Sequence, residues 1–131
     1  MGLNADVVRA FDAAWDTEGF GPAFSGFIHP DGIWQNNVDP PRQGLADVMA
    51  GIDQYLQVFQ RPYARVELLH LAIDGDVVLT ERIEHCENRE TGDTYVGRHM
   101  SSFEIRDGKI VRFNDYFDPT DYRDGNALPR A

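Results

Sequence analysis

Three runs of residues in the second half of the chain decide the fold: VVLTERIEHC at 77–86, TYVGRHMSSFEIR at 94–106 and KIVRFNDYF at 109–117. Each run is rich in the β-branched and aromatic residues that favour strands. Turn residues separate them, including Gly92 and the pair Asp107-Gly108. A fourth run, 63–73, precedes the pair Asp74-Gly75. We therefore predict long strands joined by hairpins.

The first half of the chain has helical spacing instead. Apolar residues recur every three or four positions over 4–15, with Asn4 placed to cap the first turn, and again over 45–59. A shorter helix is predicted over 22–28, ending at His29-Pro30, followed by a short strand over 33–36 before Pro40-Pro41. Because helices come first and strands follow, the sequence predicts an α+β fold with helices on the concave face of an antiparallel sheet.

Length and charge limit the classes of function. The 131 residues fit one domain, 1–131, and the net charge of −10 disfavours nucleic acid and anionic membranes as partners. No apolar run approaches the roughly 20 residues that span a bilayer, and Asp6 and Asp12 interrupt the start, so we expect a cytoplasmic protein. The single cysteine, Cys86, lies in no cysteine and histidine cluster, and no metal or other cofactor is predicted.

One carboxylate lies on a strand face that should be buried. Asp115 shares its face of the last strand with Val111, Phe113 and Phe117, and burial would penalise its charge unless a cation pairs with it. Arg82 and Glu84 share one face of an earlier strand, but the pattern does not decide whether that face is buried or exposed. If it is buried, Arg82 could reach both acids.

The chain carries four landmarks in order: Trp34-Gln35-Asn36, Thr80-Glu81-Arg82-Ile83-Glu84, Gly108-Lys109-Ile110 and Asp115-Tyr116-Phe117-Asp118. With these landmarks it resembles the limonene-1,2-epoxide hydrolase family of the NTF2-like, SnoaL-like superfamily, from the first helix to Leu128-Pro129-Arg130. The resemblance implies a cone-shaped fold in which six curved strands and the helices enclose a deep pocket. It also implies a homodimer formed through the sheet.

The resemblance also implies a reaction, the one-step addition of water to a small epoxide to give a vicinal diol. Asp115 would be the base that activates water, Glu84 the acid that protonates the epoxide oxygen, and Arg82 the bridge between them. Asn36 would hold the water. Two residues differ from the family pattern: Glu84 stands where an aspartate is usual, and Trp34 stands where a tyrosine is usual. The pocket would also be lined by Cys86, Gly97, His99, Phe117 and Tyr122.

Other functions on the same fold stay open. An isomerase, a dehydratase or a polyketide-cyclase-like enzyme would need only one acidic base. An epoxide-opening cyclase would use a substrate hydroxyl in place of water. A non-catalytic protein that binds a small ligand is the third alternative. Under any of these, His99 and Cys86 could be structural residues of the sheet and core.

Overall fold

The computed structural model describes residues 2–58, 65–87, 90–92 and 94–122. In chain order its elements are α1 (Gly2–Glu18), α2 (Phe20–Phe27), β1 (Ile28–Asn36), β2 (Arg42–Gln43), α3 (Leu45–Val58), β3 (Arg65–Asp74), β4 (Val77–Glu87), β5 (Thr94–Arg106), β6 (Lys109–Phe117) and a 3₁₀ turn (Pro119–Tyr122). The predicted end of the second long helix at residue 59, and the start of the following strand at residue 63, lie outside the described residues.

The strands form one mixed sheet in the order β2-β1-β6-β5-β4-β3. β3 to β6 pair antiparallel with their neighbours, whereas β1 runs parallel to β6. The β5–β6 hairpin turns at Asp107 and Gly108, whose φ angles of 52° and 75° are those that a tight hairpin requires. The predicted α+β fold, with the six-stranded curved sheet that the resemblance implied, is confirmed. The parallel pair of β1 and β6 makes this sheet mixed and not wholly antiparallel.

The helices pack against the inward face of the sheet through aromatic side chains. The ring of Phe11 on α1 lies 5.2 Å from Phe24 on α2, 5.9 Å from Phe103 on β5 and 5.7 Å from Phe113 on β6, measured between centroids. All four side chains are fully buried. None of the helices in the described ranges is both long and apolar enough to cross a bilayer.

The first strand differs from the prediction. β1 begins at Ile28, not at residue 33, because the extended conformation imposed on His29 by Pro30 starts a strand as readily as it ends a helix. The register of β1 against β6 shifts between Ile28 and Ile33, and this irregularity accommodates the proline. The two-residue strand β2, which was not predicted, pairs with Ile33 and Trp34.

The inward face of β6 also differs at one position. Val111 was expected to face inward, but it is only half-buried, whereas Ile110 is fully buried. The cause is a bulge: Glu104 pairs with Arg112 and Ile105 with Ile110, so that β6 has one extra residue between them. The predicted alternation holds beyond this point, where Asp115 is buried.

Candidate functional site

Polar side chains lie on the inward face of β4, in the interior of the fold. Thr80, Arg82, Glu84 and Cys86 are all buried, and they alternate with more exposed residues along the strand. The sequence left this orientation undecided. Arg82 pairs with His99 of β5, and Ser101 of β5 pairs with Asp115 of β6, so three adjacent strands bring their polar residues together.

Arg82 bridges the two acids at the centre of this cluster. Its Nη1 and Nη2 atoms donate to the two carboxylate oxygens of Asp115, at 3.2 and 2.8 Å. Nη2 also donates to Glu84. The guanidinium is fully buried and lies over the ring of Trp15, with Cζ 4.7 Å from the ring centroid. The structure thus places Asp115, Glu84 and Arg82 in the relative positions that the resemblance implied.

Two further residues complete the cluster. The hydroxyl of Ser101 receives a hydrogen bond from Arg82 and donates one to Asp115, at 2.6 and 2.8 Å. His99 has Nδ1 3.1 Å from Asp115 and Nε2 3.4 Å from Glu84. His99 was predicted only as a pocket-lining residue, and Ser101 was not predicted. The position of Ser101 opposite Asp115 depends on the register of β5 against β6, which the sequence does not show.

The charges of the cluster stabilise one another. Burial alone would raise the pKa of Asp115, but the adjacent Arg82 and His99 outweigh it and hold this pKa well below its usual range. Burial opposes the charge of Arg82 as well, yet Asp115 and Glu84 raise the pKa of the guanidinium above its ordinary value. Asp115 is therefore an ionised carboxylate, suited to accept a proton.

A cavity of about 180 Å³ opens beside this cluster. Its walls are mainly aromatic and also include two carboxyls, an imidazole and an amide. The lining residues are Trp15, Phe20, Trp34, Asn36, Tyr55, Glu84, His99, Asp115, Phe117 and Pro119.

Three buried polar atoms of the lining residues have no hydrogen-bond partner within the described residues: the indole Nε1 of Trp15, the indole Nε1 of Trp34 and the side-chain Oδ1 of Asn36. Asn36 is the register partner of Asp115 in the β1–β6 ladder, so its side chain lies next to the proposed base. Buried polar groups rarely go without a partner in folded proteins, so a molecule bound in the cavity should contact them.

The predicted pocket residues have different positions. His99 and Phe117 line the cavity. Cys86 and Gly97 are buried but are not among its lining residues. The Sγ atom of Cys86 lies 2.9 Å from the hydroxyl oxygen of Tyr55, which does line the cavity. Gly97 lies on β5, where it pairs with Glu84 of β4, and it has no side chain that could reach the cavity. The side chain of Tyr122 lies outside the described residues.

Asp12 on α1 is a buried acid that was not predicted as part of the site. Its side chain is 4% exposed, and neither carboxyl oxygen has a hydrogen-bond partner in the described chain. Burial raises its pKa to about 7, and Glu84 and Asp115 contribute in the same direction while Arg82 opposes them. A signal was present, because Asp12 lies in the same helical stripe as the buried residues Val8, Phe11 and Trp15.

The raised pKa of Asp12 predicts a pH-dependent stability. Below its unfolded pKa of about 4 the group is neutral in both states, and above about 7 it is ionised in both. Between these values the unfolded chain releases the proton and the folded chain keeps it, so the unfolding free energy falls from about pH 4 and levels off above about pH 7. Relative to Asp12→Asn, the wild-type chain should lose up to about 4 kcal/mol of unfolding free energy between pH 4 and pH 8. Urea denaturation across this range measures the difference. Asp16→Asn, on the same helix, is the control, and parallel curves for wild type and Asp12→Asn would contradict the prediction.

Glu84, His99 and Asp115 could also bring one ligand atom each to within 4.8 Å of the others, as a metal site requires. Arg82 already donates to both carboxylates of this trio. A divalent cation there would lie next to the positively charged guanidinium of Arg82, which is already hydrogen-bonded to two of the three ligands. The donor set therefore fits an acid and base site better than a metal centre.

Comparisons with known proteins agree with this architecture. The model of the SnoaL-like domain family matches residues 7–113. A limonene-epoxide-hydrolase-like epoxide hydrolase of M. tuberculosis is 25% identical, with a TM-score of 0.76 over 95% of this chain and 89% of that chain. A putative SnoaL-like polyketide cyclase from Jannaschia sp. CCS1 is 16% identical, with a TM-score of 0.80 over 98% and 94% of the two chains. A putative isomerase from Bacillus subtilis is 20% identical, with a TM-score of 0.76 over 92% and 89%. Since the family match extends over most of its length, the chain belongs to the SnoaL-like domain family.

Proposed function

We propose that this protein is an epoxide hydrolase that adds water to a small epoxide in one step, without a metal or other cofactor. The observation that carries the proposal is the buried bridge of Arg82 between Asp115 and Glu84, two acids that line the cavity. The similarity to the M. tuberculosis epoxide hydrolase supports it.

The proposed reaction needs one ionised and one neutral carboxyl. Asp115 takes a proton from water as the water oxygen attacks an epoxide carbon. The carbon–oxygen bond of the ring breaks, and Glu84 delivers its proton to the departing oxygen. After release of the diol, the proton gained by Asp115 must return to Glu84, and Arg82 lies between these two groups.

The water would lie between Asp115 and Asn36. The buried Oδ1 of Asn36 can accept a hydrogen bond from water, which leaves the second water hydrogen for Asp115. The buried indole N–H of Trp34 can donate to water, to substrate or to a carboxyl, but it cannot accept. Trp34 therefore supplies only part of what a tyrosine hydroxyl would offer at this position.

A panel of small cyclic and linear epoxides tests the proposal, with the diol measured by mass spectrometry. Small, largely apolar epoxides are the appropriate choice because the cavity is about 180 Å³ and mainly aromatic. Diol formation that depends on Asp115 is the expected result. A cyclic ether from substrates that also carry a hydroxyl would indicate an epoxide-opening cyclase. Absence of any product with all members of the panel would contradict an epoxide-opening function.

His99 favours a second candidate function, proton transfer next to a carbonyl group, as in isomerases and dehydratases. Its imidazole lines the cavity, and its Nδ1 lies 3.1 Å from Asp115, an arrangement that orients a histidine base. Incubation of small ketones in deuterated water would reveal this activity as exchange of the hydrogens next to the carbonyl. Exchange that is lost in His99→Gln, without diol formation from epoxides, would favour the second function.

We also propose that the chain forms a homodimer through the outward face of its sheet. Met100 and Tyr116 are adjacent register partners on that face, and each is more than half exposed. Leu79 on β4 is also exposed there. Contiguous apolar surface of this kind is typical of interfaces.

The dimer leads to a direct prediction. Met100→Glu should convert a dimer to a monomer, because it places a charge in the apolar contact. Light scattering after size-exclusion chromatography measures the molecular mass. Leu3→Glu, at an exposed position on α1, is the matched control and should leave the mass unchanged. A monomeric wild-type chain, or a dimer that persists in Met100→Glu, would refute this interface.

A further inference from the structure

A second cavity, of about 630 Å³, adjoins the aromatic one. Trp34, Asn36 and Tyr55 line both cavities, so the two spaces share one wall. Binding sites for small molecules usually have volumes of roughly 300–1,000 Å³, and the aromatic cavity, at about 180 Å³, is smaller than that. A substrate of ordinary size would therefore extend beyond the aromatic cavity, and the second cavity offers room for the remainder.

The second cavity lies between α3 and the loop that joins β1 to β2, and its lining is much more polar than that of the first. Asp39 lies in the loop and Arg42 on β2, whereas Asp47 and Gln54 belong to α3. The loop is held in shape, because the backbone N–H of Asp39 donates to the carbonyl of Asn36 at 2.9 Å. The polar groups of this wall therefore come from three neighbouring segments.

The side chain of Arg42 is fixed across α3. Its Nη1 donates to the backbone oxygen and to Oδ1 of Asp47, both at 3.3 Å, and its Nη2 donates to Oε1 of Gln54 at 2.9 Å. Its stem packs on Gly51, where a Cβ atom would lie 2.6 Å from Nε and 2.7 Å from Cδ of Arg42. Glycine inside a helix costs stability relative to alanine, and the close approach of Arg42 gives a reason for it here. The polar wall is thus preformed.

The chemistry of this wall fits an uncharged group that carries hydroxyls. Arg42 and the amide nitrogen of Gln54 donate hydrogen bonds, whereas the carboxylates of Asp39 and Asp47 accept them. A hydroxyl both donates and accepts, so it can pair with either kind of group. The formal charges of the wall are one positive and two negative, and this balance disfavours an anionic ligand.

We propose that the second cavity binds a hydroxylated tail of the substrate, while the epoxide end lies in the aromatic cavity beside Asp115 and Glu84. We call the second cavity the tail site. The assignment of the tail to a substrate rests on the proposed epoxide hydrolysis. The buried Nε1 of Trp34, in the shared wall, has no partner in the described part of the chain. A ligand that extends from one cavity to the other can accept its hydrogen bond.

Three eight-carbon terminal epoxides test the tail site, alike except at the far end, which is a methyl, a hydroxymethyl or a carboxylate group. In wild type, kcat/KM for the hydroxymethyl compound should exceed that for the methyl compound by about 3- to 10-fold, the effect of one net hydrogen bond. In Arg42→Met this ratio should fall to about one, because the donors are removed. Since the ratio compares two substrates on one enzyme, a purely structural role of Arg42 would lower stability without changing it.

Gly51→Ala provides a second variant that keeps every polar group. Its methyl group would occupy the place of the Arg42 stem, so the ratio should fall here as well, while alanine favours the helix. Gly26→Ala is the matched control, because it makes the same change on α2, where a Cβ atom would meet nothing within 4 Å. It should keep the wild-type ratio. A wild-type ratio near one, a preference for the carboxylate compound, or a ratio that survives both Arg42→Met and Gly51→Ala would overturn the tail site.

Calorimetry with the three corresponding vicinal diols separates the tail site from the reaction. The hydroxymethyl diol should bind more tightly than the methyl diol by the same factor, and Arg42→Met should remove the difference. This ranking without opening of any epoxide would refute the proposed function and leave the tail site standing. Epoxide opening with equal affinities for the diols, or no binding of any diol, would refute the tail site instead.

Discussion

Asp115→Asn should lower kcat/KM for epoxide opening by at least about 10²-fold, because it removes the base and nearly preserves the shape of the side chain. The asparagine oxygen can still accept a hydrogen bond from Arg82, so the fold should be retained, which circular dichroism will show. Asp118→Asn is the matched control: it makes the same chemical change three residues away, at an exposed position outside the cavity lining. Full activity in Asp115→Asn would remove the basis of the functional proposal.

Glu84→Gln should cause a loss of similar size, because it removes the acid. The double variant should be little worse than either single variant, since the two residues act in one step and their effects are not additive. Independent, multiplying losses in the double variant would contradict a concerted pair.

Isotope labelling distinguishes attack by water from attack by a carboxylate. In a single turnover in ¹⁸O-water, with less epoxide than enzyme, the diol should carry the label at once. A covalent intermediate on Asp115 would instead donate an unlabelled carboxylate oxygen in the first turnover. Unlabelled diol would therefore refute direct attack by water.

Arg82→Met should give the largest loss of stability, about 3–5 kcal/mol, because it leaves buried carboxylates without their cation. Methionine has a similar length, so the loss would reflect charge more than volume. The difference from wild type should narrow as the pH falls below about 4. The reason is that the low pKa of Asp115 stabilises the wild-type fold above its unfolded pKa, and this contribution is lost at lower pH. Urea denaturation at several pH values measures both effects.

The double variant Arg82→Met/Asp115→Asn tests the cause. It removes one of the uncompensated charges, so it should recover part of the stability that Arg82→Met loses. A double variant that is less stable than Arg82→Met by the full cost of Asp115→Asn would show that packing, not charge, explains the loss.

The sequence by itself determined the order of helices and strands and the direction of Asp115. Helical spacing, the turn at Asp107-Gly108 and the alternation around Phe113 and Phe117 are local signals, and local conformation follows from them. The bulge at Val111 shows the limit of such signals, because it arises from the pairing of β6 with β5.

Only the tertiary structure decided which face of β4 is buried. Both faces carry apolar residues, among them Val78 inward and Leu79 outward, so alternation alone gave no answer. Burial followed from the helices that cover one side of the sheet. Ser101 and Asp12, which were not predicted, joined the site for the same reason, and so did the contacts of His99 with Asp115 and Glu84. Strand register and helix packing bring together residues that are far apart in the chain. An acidic residue in an apolar helical stripe, such as Asp12, can be interpreted only when the groups on the strands that face the helix are known.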